Sequence, residues 1–142
     1  MPVRIMVVER YRFVRDAMRV AIARAPDLDL VADAGDVVEA IGLAMDHEPD
    51  VIVLDVDWPS LQGLAAAPCL RKAVPGACIV MYSSDPDFET DPELEAAHAA
   101  MAGGADAYLA ASSTLEEMMA LLQSVPISTA GSALCERELA AG

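Results

Sequence analysis

The chain has 142 residues, enough for one domain with a hydrophobic core of its own. Nine basic residues against 23 acidic ones leave a net charge of −14, which opposes direct contact with nucleic acid or an anionic membrane surface. Hydrophobic residues make up 55% of the sequence, so the chain as a whole is not disordered.

The elements follow in chain order. Val3–Val8 is an apolar run broken only by Arg4 and reads as a strand. Arg12–Ala25 reads as a helix with Phe13, Ala17, Val20 and Ala21 on its apolar face, ending at Pro26. Leu28–Ala34 alternates with Asp29 and Asp33 as a second strand. Asp36 and Glu39 form a capping box that opens a helix running to about His47. Val51–Leu54 has the continuous aliphatic character of a strand covered on both faces. Leu64–Val74 reads as a helix whose first turn Pro68 should weaken or kink. Ala77–Tyr82 is the fourth strand. Asp91–Pro92 opens a fourth helix that ends at Gly103–Gly104. Ala105–Leu109 is the fifth strand, and Ser113 with Glu116 opens a fifth helix that stops before Pro126.

Five β-α units in succession require a parallel sheet with helices on both faces. In such folds the working residues lie beyond the carboxyl ends of the strands. Those ends carry Glu9 and Arg10, Asp55 and Asp57, Ser83 and Ser84, and Ala110 and Ala111. Residues 1–125 are expected to form this domain, and 126–142 a linker or tail too short to fold alone.

The segment V-I-V-L-D-V-D-W-P-S-L-Q-G-L at 51–64, with D-A-G-D at 33–36 and G-A-D-A-Y-L at 104–109, resembles the receiver domains of bacterial response regulators. The likeness covers roughly residues 2–124 and is greatest to regulators that carry a helix-turn-helix output domain. It implies a flavodoxin-like, doubly wound five-stranded sheet of order 2-1-3-4-5. It also implies that Asp55 is the phosphoacceptor position and that Ser83 and Tyr108 are the switch pair. Two positions depart from the family pattern. The paired acids that hold Mg²⁺ after the first strand are here Glu9 and Arg10, and the lysine after the fifth strand is here Ala111. An arginine repels a divalent cation and supplies no oxygen ligand, so Mg²⁺ binding and ordinary phosphorylation are not expected. Arg10 is instead expected to stand in for the metal and pair with Asp55, in an acidic pocket of Glu9, Arg10 and Asp57.

Charge is uneven along the chain. Residues 1–24 carry six arginines and two acids, net +4, while 25–142 carry three basic and 21 acidic residues, net −18. A homodimer is therefore expected, with Arg12, Arg15 and Arg19 on the first helix and Met118, Met119 and Leu122 on the fifth as candidate contacts. The acids from Asp85 to Glu95 read as a solvated loop, since a calcium-loop glycine is missing. Cys69, Cys78 and Cys135 form no C-x-x-C pair and read as small buried hydrophobes.

The expected function is an atypical receiver in signal transduction and transcriptional control, with a DNA-binding domain or partner protein outside this chain. No catalytic residue, metal or cofactor is assigned. No leader is expected, because arginine interrupts the N-terminus, and no run is apolar enough to span a membrane, so the location expected is cytoplasmic. Two alternatives stand beside it. D-V-D at 55–57 resembles the D-x-D of haloacid-dehalogenase-type phosphatases, which would make Asp55 a nucleophile and Asp57 a general acid. A pocket holding Arg10 could otherwise bind a small anion.

Overall fold

The computed structural model describes residues 2–55, 62–82, 105–109 and 115–124. Five strands, β1 (Val3–Val8), β2 (Leu28–Ala34), β3 (Val51–Asp55), β4 (Cys78–Tyr82) and β5 (Ala107–Leu109), form one parallel sheet in the order β2-β1-β3-β4-β5. This is the expected flavodoxin-like receiver topology. β3 and β4 are buried along their whole length, because helices cover both faces of the sheet there. β2 lies at the edge and is only partly covered.

Alternation along the strands divides the core in two. Met6, Val8, Ile52, Leu54, Ile79 and Met81 face α2 (Val37–His47) and α3 (Gln62–Ala73). Val3, Ile5, Val7, Val51, Val53 and Val80 face α1 (Arg12–Ala23) and the Leu115–Ser124 helix. α2 starts as its sequence requires, with the Asp36 carboxylate accepting from the Glu39 N–H at 2.8 Å. It stops at Glu48, a non-glycine residue in the left-handed region (φ 47°, ψ 61°), whose N–H bonds the Ala44 carbonyl. α3 begins two residues earlier than expected and runs on through Pro68.

Three expectations are corrected. The buried face of α1 is Met18 and Ile22, with Val14 partly covered, whereas Phe13, Ala17 and Val20 face outward. Both stripes are apolar, and only the sheet decides which one packs. On the Leu115–Ser124 helix, Met118 and Leu122 are buried in the core and Met119 packs against it. Met118 and Leu122 hold the helix to the sheet and leave no surface for a partner, while Met119 stays partly exposed. Cys69 is exposed on α3, while Cys78 is buried as expected. The fourth predicted helix, the acidic loop before it, Cys135 and residues 126–142 lie outside the described residues.

Candidate functional site

β1, β3 and β4 end side by side, and each delivers one polar group to the same edge. Val51 and Val53 pack on the α1 side of the sheet, so Asp55 projects to that side too. The same alternation carries Tyr82 there after Cys78 and Val80, and Glu9 there after Ile5 and Val7. Asp55 and Tyr82 are direct register partners. Glu9 and Asp55 are both 0% exposed, and they are the buried charged side chains among the described residues.

A buried carboxylate needs donors, and Glu9 has them. Its Oε1 accepts from the Tyr11 N–H at 3.1 Å, and its Oε2 accepts from the Tyr82 hydroxyl. The second bond reaches over the end of β3, since β1 and β4 are its two neighbours. Sequence reasoning misses Tyr82 as a site residue. A tyrosine closing an apolar strand reads as packing, and its partner lies 73 residues away.

Arg10 does not pair with Asp55. Its guanidinium donates to the Tyr11 hydroxyl and lies over the Tyr11 ring, 4.4 Å from the ring centre. Among the described residues no ion pair joins it to Glu9 or Asp55. The physical reason is desolvation. Stacked on a neighbouring ring at the surface, the guanidinium keeps much of its hydration, which burial beside Asp55 would remove.

The arginine that does organise this edge is Arg15. Its Nη1 donates to the carbonyls of Glu9 at 2.7 Å and Arg10 at 3.3 Å, and its Nε lies 3.7 Å from Asp33. Those bonds fix the turn that presents Glu9. Gly35 leaves room for them, because a Cβ there would sit 2.8 Å from Arg15 Nη1. Arg19 bonds Asp33 at 2.8 Å and lies 3.5 Å from Asp16. The hydrogen bond to Asp33, and next the Asp33 charge, raise the Arg19 guanidinium above its ordinary value. Arg12 is exposed, and its ion-pair partner among the described residues is Asp16 at 4.0 Å.

On the far side of the sheet's edge, Asp106 anchors the start of β5. Its Oδ2 accepts from the Ile79 N–H at 2.8 Å and from Arg71, which also donates to the Ala77 carbonyl. Tyr108 is placed in β5 by its backbone, in register with Met81. Asp57, Ser83 and Ala111 lie outside the described residues. No helix among the described residues is long and apolar enough to cross a membrane.

The comparisons with known proteins agree with this fold. A LuxR-family two-component response regulator from Aurantimonas superposes with a TM-score of 0.69 at 26% identity, covering 100% of both chains. The response regulator domain of Thermotoga maritima CheB gives a TM-score of 0.66 at 26% identity, over 99% of this chain and 96% of that one. Among curated relatives, the nitrate/nitrite response regulator protein NarL of Escherichia coli is 29% identical over 122 residues, 85% of this chain and 53% of NarL. The protein-glutamate methylesterase/protein-glutamine glutaminase of Maricaulis maris is 41% identical over 81 residues, 57% of this chain and 20% of that protein. The chain therefore spans a fifth to about a half of these curated relatives. The family model for the response regulator receiver domain matches residues 5–123, and the chain belongs to that family.

Proposed function

We propose that this receiver domain works as a switch or dimerisation module of a cytoplasmic transcription regulator, without ordinary Mg²⁺-dependent phosphorylation of Asp55. The observation that carries the reading is the state of Glu9. Both of its oxygens already accept hydrogen bonds, from Tyr11 and Tyr82. Mg²⁺ demands a near-octahedral oxygen shell, and the position beside Glu9 offers a guanidinium where the family has a second acid. Ala111 adds to this, since it has no ammonium to contact phosphoryl oxygens. The residues present fit the ion poorly. The transcriptional part of the reading draws on NarL and the LuxR-family regulator, and assigns the output to a unit outside this chain.

A second reading of the output has its own support. The Maricaulis relative is a methylesterase/glutaminase, so the attached unit could be an esterase rather than a DNA-binding domain. In either case this domain regulates and does not itself catalyse.

The test is a melting curve of the wild type and of Arg10→Asp, each with and without millimolar Mg²⁺. The wild type should not respond. Arg10→Asp should melt lower without metal and regain stability with it, by about 1.4 kcal/mol at tenfold excess over its Kd. Equal stabilisation of both proteins would overturn the reading.

A further inference from the structure

Six large hydrophobic side chains are exposed among the described residues, and four of them form two short helical stripes. On α1, Phe13 (74% exposed) and Val20 (51%) stand a heptad apart with exposed Ala17 between them, opposite buried Met18 and Ile22. On α2, Val38 (82%) and Met45 (62%) stand a heptad apart with exposed Gly42 between them, opposite buried Ala40 and Ala44. Both stripes therefore follow the same i, i+4, i+7 spacing. Nothing lies within 4 Å of where a Cβ on Gly42 would sit, so a partner can approach the α2 backbone closely there.

The stripes differ in the sign of the charge around them. α1 and its cap carry Arg12, Arg15, Arg19 and Arg24 against Asp16, and with Asp33 of β2, which pairs with Arg15 and Arg19, this face still keeps an excess of positive charge. α2 and its caps carry Asp36, Glu39, Asp46 and Glu48 with no lysine or arginine. The two helices also pack on opposite faces of the sheet, α1 with one core cluster and α2 with the other.

We propose that α1 of one copy docks on α2 of a second copy, head to tail. Docking α1 on α1 would stack arginines on arginines, and α2 on α2 would stack carboxylates, so charge selects the mixed pairing. With the two helices parallel, Arg12 and Arg19 run beside Glu39 and Asp46, which have the same heptad spacing. Phe13 and Val20 then pack against Val38 and Met45. Because the two surfaces are different and lie on opposite faces, each copy of a docked pair keeps one surface free, and the pair keeps one of each. Association continues into rings or open chains. A single pair of helices covers less than the roughly 1,200–2,000 Å² of a standard interface, so the contact is weak and sensitive to salt. Neither surface includes Asp55, and neither needs Mg²⁺.

The experiment is sedimentation velocity of the 142-residue chain over a concentration series. The wild type should grow beyond a dimer at low salt, and about 0.5 M salt should weaken that association several-fold. Phe13→Glu and Met45→Arg should each weaken it more than about tenfold, with unchanged circular dichroism because both side chains are exposed. Their equimolar mixture should recover association but stop at the dimer, since it holds one intact α1 surface and one intact α2 surface per pair. Asp46→Lys supplies a second variant on the α2 side and should weaken association in the same direction. A wild type that stays monomeric, a mixture that stays monomeric, or a Met45→Arg protein that still associates by itself would each overturn the proposal.

Discussion

The Tyr82 hydroxyl donates to Glu9 Oε2 across the end of β3, so one hydrogen bond ties β1 to β4 above the strand that carries Asp55. The bond supplies a neutral donor to one of the two buried carboxylates at this edge. Arg10 takes no part in it.

Removing that donor should be costly. Tyr82→Phe leaves a buried carboxylate oxygen without its hydroxyl partner, and should destabilise the domain by about 1–3 kcal/mol. Glu9→Gln keeps an acceptor and loses the charge. A double-mutant cycle of Tyr82→Phe and Glu9→Gln, read by urea denaturation, should give a coupling energy between roughly 0.5 and 3 kcal/mol. Strict additivity of the two substitutions would contradict a hydrogen bond strengthened by the Glu9 charge.

Arg15 and Gly35 should behave as one unit. Arg15→Met removes the donor to the Glu9 and Arg10 carbonyls and the partner of Asp33. It should cost about 1–3 kcal/mol, because the freed carbonyls are partly buried. Gly35→Ala should also destabilise, since its methyl group displaces the Arg15 guanidinium. The measurement that checks this is the stability of the double variant, expected to fall well short of the sum of the two losses.

Much of the fold can be read from local pattern. β1 and β2 have the expected boundaries, and α2 starts at its capping box, because each signal lies within a few residues of the element it marks. α1 shows where local pattern runs out. Phe13, Val14, Ala17, Met18, Val20 and Ile22 give it apolar residues on both sides, and contact with the sheet selects Met18 and Ile22. The site is legible in the same measure. Glu9 and Asp55 follow from their places at strand ends, but the Tyr82 bond needs the strand order. The expectation for Arg10 fails for an energetic reason. The ring next to it in sequence keeps the guanidinium near solvent, and pairing with Asp55 requires burying it.

Whether Asp55 takes a phosphoryl group is read directly from the intact mass of the protein after incubation with acetyl phosphate and Mg²⁺. The wild type should show no stoichiometric gain in mass, matching Asp55→Asn under the same conditions. A gain of one phosphoryl group per chain in the wild type, lost in Asp55→Asn, would contradict that expectation.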